Sequence, residues 1–514
     1  MQRGKVYLVG AGPGDPKLIT VRGLEAIERA DAIVYDRLAN PRLLRHAKPG
    51  AELHFVGKLP DKHMMKQEDI NKLLVELARQ GKVVTRLKGG DPSVFGRVGE
   101  EAEELADADI PFEIVPGITS SIAVPVYAGI PVTHRDFTSS FAIVTGHEYP
   151  NKTYSGVHWD KLSTATGTLI FLMGVANIEA ICSRLMEHGK PPETPAAVIR
   201  MGTWMEQQTL TGTVATIAEQ VKLSGMQSPA IIIVGEVVKL REKLAWFEKR
   251  PLFGRRYLVT RAREQASELV RGIEELGGEA VEFPVIRCQP TSDPEQVERL
   301  DQTIRELGGF DWIVFTSVNG VDYFFRRLIE TGADIRNLGA ARLVAVGPKT
   351  QEALRLRGLT TVPLPSAYKQ EGIADALEPL VEAGQRVLLP TGDLARDVLR
   401  KRLEAQGLSV TEVDAYETVQ ATEFGEETLE QLREGGIHVV TFTSSSTVMN
   451  LLHALKQLGE EQPIELLNRL ELVCIGPVTA QTAEEAGLRI SRVAPEATIA
   501  SLLETLQQPA PLQE

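Results

Sequence analysis

Three cysteines among 514 residues, Cys182, Cys288 and Cys474, are too few and too far apart for a disulfide framework, and no C-x-x-C occurs to suggest a zinc site. Cys474 stands in the apolar run ELVCIG and reads as a buried core thiol. The nine histidines are scattered without a spacing such as H-E-x-x-H, so no residue is assigned to a metal. No apolar run is long enough to cross a bilayer. The N-terminus MQRGKVYLVGAGPGD has only a short apolar stretch before glycine and proline break it. It reads as a first buried strand rather than a signal peptide, and a cytoplasmic location is expected. Positive charge is in deficit: 56 Lys and Arg face 69 Asp and Glu, a formal net charge of −13. That argues against nucleic acid as a partner, because phosphate binding needs a basic surface. An anionic small molecule stays open, since a local group of Arg, Lys and helix N-termini can hold one on an acidic protein.

What is present is a long, ordinary globular chain. Its length exceeds one core and implies two to four domains. Short Val/Ile-rich runs that mostly end in glycine, such as KVYLVGAG, ADAIVYD, KVVTRLKGG, GTLIFLMG and PAIIIVGEVV, alternate with helical patterns such as EDINKLLVELARQG and NIEAICSRLMEHG. This is α/β architecture with largely parallel sheets. A boundary is expected between Leu240 and Arg256: one domain over residues 1–245, a charged linker at 246–254 containing Pro251 and Gly254, and a second region from the strand RYLVTRA onward, over 255–508. That second region repeats itself. FDWIVFTSVNGVDYFF is followed by RLVAVGPKTQEALRLRGL, and IHVVTFTSSSTVMNLL by ELVCIGPVTAQTAEEAGL. Two similar α/β lobes facing a shared cleft would produce this pattern. The tail QQPAPLQE is expected to fray.

Several motifs carry chemistry. GAGPGD, residues 10–15, is a strand running into a three-glycine turn, and Asp36 ends the next strand. A nicotinamide dehydrogenase would share those features. The spacing is G-x-G-x-G, however, and Pro13 removes an amide that a pyrophosphate would want. RLKGGDPSVFGRVGEE (86–101) again joins a strand, a glycine turn and a carboxylate, and Asp91 suits a ribose hydroxyl or a cationic ligand rather than a phosphate. VPGITS (115–120) leads hydroxyls into a helix. LIFLMG ends on Met173, a thioether suited either to a flat ring or to filling the core. SPAIIIVGEVV (228–238) completes the series.

These five motifs, in this order over residues 4–245, resemble the uroporphyrinogen-III C-methyltransferase family. GAGPGD and GGDP also occur in other corrin-pathway methyltransferases; the stretch VYDRL, VGK, QEDIN and GGDPSVFGR points to the uroporphyrinogen-III member. The resemblance implies a tetrapyrrole-methylase fold of two α/β subdomains with S-adenosylmethionine between them, leaving S-adenosylhomocysteine as product. Pro13, Gly89, Gly90, Asp91, Val94, Thr119, Ser120, Met173, Gly202 and Ala230 occupy the positions matching the family's donor contacts, and Asp36 and Lys58 those of its proposed acid/base pair. Asp36 could equally cap a helix before RLANPRLL, and Lys58 could be a solvated loop lysine. The family is usually dimeric, which makes a homodimer through this half an expectation.

The second region has no glycine cradle and no metal cluster. It has hydroxyl-rich turns before expected helices: Thr316-Ser317, Thr391-Gly392-Asp393 and Thr443-Ser444-Ser445. Such N-termini bind carboxylates, although plain capping would use the same residues. The order VTRA, FTSVNG, VGPKT, TGDLAR, AYET, TFTSSST, CIGPVTA resembles uroporphyrinogen-III synthase, a two-lobed α/β fold that works without a cofactor. Lobes over about 256–285 with 419–508, and over about 290–414, would be joined by EFPVIRCQP and VDAYETVQ. Substrate would meet Thr316, Ser317, Thr391, Gly392, Thr443, Ser444, Ser445 and Thr479. Val478 departs from the family's G-P-T-T-A run. Tyr416 matches a tyrosine thought to assist hydroxyl loss, and it could also be a strand tyrosine with its OH at the surface. The combined expectation is an enzyme that cyclises hydroxymethylbilane and methylates the product at C2 and C7 towards precorrin-2. The alternatives are a non-catalytic tetrapyrrole-binding second half, or another corrin-pathway methyltransferase in the first.

Overall fold

A computed structural model describes residues 4–57, 65–147, 156–260, 263–283, 286–362, 370–393, 397–420 and 425–509. The chain forms two compact units, residues 1–255 with 274–279, and 256–273 with 280–514. Each is built from two five-stranded sheets.

The first unit opens with β1 (Lys5–Gly10), β2 (Ala32–Tyr35), β3 (Glu52–Phe55), β4 (Val83–Lys88) and β5 (Phe112–Val115). Their order is β3-β2-β4-β1-β5, and every pairing is parallel. Helices cover both faces, which is why the central strands read as nearly unbroken apolar runs. The second sheet has β6 (Phe141–Thr145), β7 (Thr168–Leu172), β8 (Pro195–Arg200), β9 (Gln208–Thr213) and β10 (Ala230–Val234), in the order β6-β7-β10-β8-β9. It departs from the parallel expectation. Only β6 and β7 run parallel; β10 is antiparallel to both neighbours, and β8 to β9. For β8 and β9 the reason is connection length: residues 201–207 are too few for the crossover that parallel pairing needs.

The segment expected to link the halves packs on the first unit. Trp246 Nε1 donates to the Val126 carbonyl at 3.1 Å, and the Tyr127, Trp246 and Phe247 rings lie 4.7–5.5 Å apart. Glu248 accepts from Gln207, Thr209 and Arg241. Glu248 is therefore paired with the fold, while Lys249 beside it is exposed.

In the second unit β11 (Arg256–Val259), β12 (Glu279–Glu282), β18 (Val439–Phe442), β19 (Glu471–Cys474) and β20 (Arg492–Val493) form one sheet, ordered β12-β11-β18-β19-β20. β13 (Ile286–Pro290), β14 (Trp312–Phe315), β15 (Arg342–Ala345), β16 (Arg386–Gly392) and β17 (Ser409–Gln420) form the other, ordered β13-β17-β16-β14-β15. The repeat has a direct structural meaning. β14 and β15 pair in parallel around the helix Val318–Glu330, as β18 and β19 do around Ser445–Gln457. The two crossing segments pair antiparallel, Ile286 opposite Gln420 and Pro290 opposite Tyr416. All three cysteines are buried and none is in a disulfide. No helix among the described residues is long and apolar enough to cross a membrane, and no group of metal-ligating side chains occurs among them.

Candidate active sites

The motifs of the first unit converge at the carboxyl ends of β1, β4 and β5. Gly12 and Gly90 bridge their loops, with hydrogen bonds of 3.2 and 2.6 Å in the two directions. Gly90 has φ +70°, a backbone that side chains rarely adopt. A Cβ on Gly117 would come within 2.4 Å of the Gly90 carbonyl oxygen and 2.7 Å of the Gly10 Cα, so the three loops touch backbone to backbone. Asp91 ties them together. Its carboxylate accepts the Gly117 N–H at 2.9 Å, the Ser93 N–H at 2.8 Å and the Ser93 hydroxyl. The carboxylate expected to suit a ribose hydroxyl or a cationic ligand thus also holds the loops in place. Thr119 and Ser120 begin the helix Ser120–Tyr127, with Thr119 as its cap, and they face the open side of Gly90.

The second sheet closes on these loops. Asp15 N–H donates to Thr203 Oγ1 at 2.9 Å, the Tyr127 hydroxyl donates to Asp15 at 2.9 Å, and the Asn40 amide reaches the Gly14 carbonyl at 2.7 Å. Gly14, beside the half-buried Pro13, lies so close to Trp204 and Thr203 that a Cβ would overlap both. Burial pushes the Tyr127 phenol up, and Asp15 adds to the effect. Val94 packs against the apolar cluster that includes Val124 and Leu172. Gly202 abuts Val124, with no room for a side chain. Ala230 stands opposite Arg200, and Ile231 opposite Leu172, so Met201 and Met173 flank the end of β10. Met173 is not core filling. It is 52% exposed and, like Met201 and Thr203, has positive φ. Strain at an exposed apolar residue is a mark of a functional surface.

Asp36 leaves β2 beside this group. It does not cap the following helical turn, which Asn40 caps through the Arg42 N–H. One Asp36 oxygen accepts the Leu38 N–H at 3.0 Å and the other pairs with Arg86 at 3.3 Å. Leu38 in turn presses on Gly89, where a Cβ would lie 2.4 Å from the Leu38 Cβ. Lys58 lies outside the described residues. Sequence reasoning missed Arg86, Lys88 and Glu101, three charged side chains at 3%, 5% and 0% exposure. The signal was present: two cations at i and i+2 fall on one face of an otherwise apolar strand. Thr203, Tyr127 and Asn40, contacts between chain-distant loops, carried no such signal.

In the second unit the hydroxyl turns fall into two groups, one per lobe. Ser317 caps Val318–Glu330 by accepting the Gly320 N–H at 2.9 Å, and its hydroxyl lies 3.4 Å from the Tyr416 OH. The pairing of β16 with β17 slips between Thr391 and Gly392, which sets Gly392 opposite Tyr416. This bulge re-aims the tyrosine. Its ring stacks on Tyr323 at 5.6 Å and leaves a Gly392 Cβ only 2.6 Å of space. Tyr416 is half-buried against the lobe's core, and burial raises its phenol above the ordinary range. Thr316 is half-buried beside Ser317, whereas Thr391 is buried with its hydroxyl towards the Val413 carbonyl. In the other lobe Ser444 caps Ser445–Gln457 in a reciprocal arrangement with Thr447, next to the half-buried Thr443. Ser445 accepts the Thr482 hydroxyl at 2.7 Å, which brings this turn to the helix Pro477–Glu485 and its buried Thr479. Val478 is 73% exposed.

Residues 5–218 match the family model for tetrapyrrole (corrin/porphyrin) methylases, and residues 267–504 the model for uroporphyrinogen-III synthase HemD. A porphyrin biosynthesis protein HemD of Ruminiclostridium josui is 39% identical over 506 residues, 98% of each chain. A uroporphyrinogen-III C-methyltransferase of Bacillus subtilis (strain 168) is 38% identical over 93% of each chain. That of Priestia megaterium is 57% identical over 235 residues, 46% of this chain and 98% of that one. A solved uroporphyrin-III-C-methyltransferase of Thermus thermophilus is 41% identical, with a TM-score of 0.40, over 48% of this chain and 97% of that one. With both halves matched and relatives similar across the full length, the chain belongs to the family of tetrapyrrole-biosynthesis proteins that carry a uroporphyrinogen-III-type methyltransferase ahead of a HemD-type synthase.

Proposed function

We propose that the chain performs two consecutive steps, closure of hydroxymethylbilane to uroporphyrinogen III and S-adenosylmethionine-dependent methylation of that ring at C2 and C7 to precorrin-2. The observation that carries this reading is the convergence of the 10–15, 89–94 and 116–120 loops on the 200–204 turn, in a chain whose other half matches the synthase family. The join is placed between Leu240 and Arg256, and the two compact units support it.

In the first unit, a nucleophilic ring carbon attacks the sulfonium methyl group, the S–C bond breaks, and a proton is then lost from the ring system. Positioning supplies most of the acceleration. The glycine loops let the donor approach backbone, and Met173, Met201 and Ala230 offer an apolar wall. We assign the proton to Asp36; its contacts with the Leu38 N–H and Arg86, which hold the carboxylate, support that assignment.

In the second unit, the bilane loses its hydroxyl as water, and the resulting azafulvene is attacked to give a spiro intermediate that reopens and closes inverted. We assign Tyr416, whose OH lies 3.4 Å from the Ser317 hydroxyl at the turn, to donate to the departing hydroxyl. The backbone amides and hydroxyls at 316–317 and 443–445 suit the substrate carboxylates.

Mass spectrometry of products from hydroxymethylbilane plus S-adenosylmethionine tests both halves. Dimethylated type III product is expected. Only the type I ring, which forms spontaneously, would show the second half to be a binding module.

A further inference from the structure

A buried group of charges lies directly behind Asp36, and beyond the contact of Arg86 with Asp36 it has no role in the steps above. Arg86 and Lys88 point from one face of β4 towards the helix Val98–Asp107. Glu101 on that helix accepts Lys88 Nζ at 2.6 Å, Arg86 Nε at 3.3 Å and Gln67 Nε2 at 3.1 Å, all on Oε1. Its Oε2 is buried and has no partner among the described residues. Arg86 also donates to the carbonyls of Leu87 and Val34 and ends on Asp36 Oδ2. Burial lowers the Lys88 ammonium below its ordinary range, against the attraction of Glu101. Two cations and two carboxylates thus balance, and only Asp36 of the four reaches the surface, at 26% side-chain exposure.

Burying charges is costly, and fold alone would be served as well by apolar side chains. We infer that Arg86 is a positioning residue for Asp36, and that the Lys88–Glu101 pair behind it sets the charge against which Asp36 exchanges its proton. The inference rests on Asp36 being the base proposed above. Other charges nearby are Arg37, next in sequence and exposed, and the Arg97–Glu100 pair at the start of the helix, joined at 2.6 Å. Helix Gln67–Arg79 presents neutral Gln67 and Asn71 to the group.

The test is the pH profile of methyl transfer kcat in the full chain, with S-adenosylhomocysteine binding and thermal melting as checks of fold. Removing a cation should make Asp36 harder to ionise, and removing the anion should make it easier. Arg86→Gln is therefore expected to move the acid limb up by about one pH unit, and Glu101→Gln to move it down by a similar amount. Opposite signs from two neighbours are not produced by general loosening of the fold. Arg86→Lys keeps the charge but not the fork that spans Glu101 and Asp36. It should hold the limb within a few tenths of a unit while kcat falls about tenfold, and it carries the test alone if Glu101→Gln does not fold. Limbs that stay put or move together, or an Arg86→Lys variant with unchanged kcat, overturn the inference if Asp36→Asn is inactive. Turnover by Asp36→Asn would instead remove the base assignment itself.

Discussion

One methyl group at Gly117 tests the packing of the first site. A Cβ there would meet the Gly90 carbonyl oxygen at 2.4 Å and the Gly10 Cα at 2.7 Å. Both neighbours are backbone and cannot swing aside, so at least one of three loops must move. Overpacking of this kind costs about 1–3 kcal/mol. The same movement stretches the Gly117 N–H bond to Asp91, and bonds to charged groups contribute about 1.5–3 kcal/mol. One displacement relieves both strains, so they do not add; about 2 kcal/mol is the expected loss. For a unit of this size that is a fall in Tm of about 4–8 °C. If the donor reads these loops in their native places, affinity for S-adenosylhomocysteine falls about tenfold to a hundredfold. Gly99→Ala is the matched control. Its Cβ meets nothing within 4 Å, and it lies inside the helix Val98–Asp107. There alanine should stabilise by about 0.5–1 kcal/mol. Differential scanning fluorimetry reads stability and isothermal titration calorimetry reads donor binding. A Gly117→Ala protein that melts within a degree of wild type and binds as tightly would refute the idea that loop contact builds the site.

In the second unit, Gly392→Ala should push the Tyr416 ring off Tyr323 and lower the ratio of type III to type I product, read by chromatography of the oxidised porphyrins. Tyr416→Phe should slow cyclisation at least tenfold, and a full rate would remove Tyr416 from the mechanism. Glu471 and Arg492 form a buried pair, with Arg492 also bonded to the Thr505 and Gln508 carbonyls. Glu471→Gln leaves that cation unbalanced and should cost about 3 kcal/mol in denaturant unfolding; a neutral result would show the site to be wet. Burial pushes the thiols of Cys182 and Cys474 up to about 11 and about 12. Native protein at pH 8 should therefore resist iodoacetamide until unfolded, and stability should fall as pH rises above about 8.5, where only the unfolded thiols ionise. Rapid native labelling at both positions would contradict their burial.

The outcome at particular residues shows where sequence reading stops. GAGPGD, GGDPSV and VPGITS could be placed on turns because glycine, proline and hydroxyl residues act locally. The repeated TS and GP turns were legible for the same reason, and they fall at corresponding strand ends of the two lobes. The roles inside those turns were less visible. Asp91 was legible as a carboxylate on a glycine turn, but its hydrogen bonds to Gly117 and Ser93 were not, because they depend on how two loops meet. Met173 could be read either as a flat-ring contact or as core filling, and its 52% exposure excludes core filling. In the second sheet β9 was hidden because QTLTGT lacks a strong apolar period, and the direction of β10 was hidden because an apolar run reads the same either way.

By itself the sequence determined the α/β class, the two halves, the order of the glycine loops and the internal repeat. All of these follow from local propensity and from periodicity along the chain. Only the tertiary structure decided that Gly10, Gly90 and Gly117 touch, that Arg86 and Lys88 face Glu101 behind Asp36, and that a slip in strand register sets Tyr416 against Gly392. Such contacts depend on the register and close approach of segments far apart in the chain, which no run of neighbouring residues encodes.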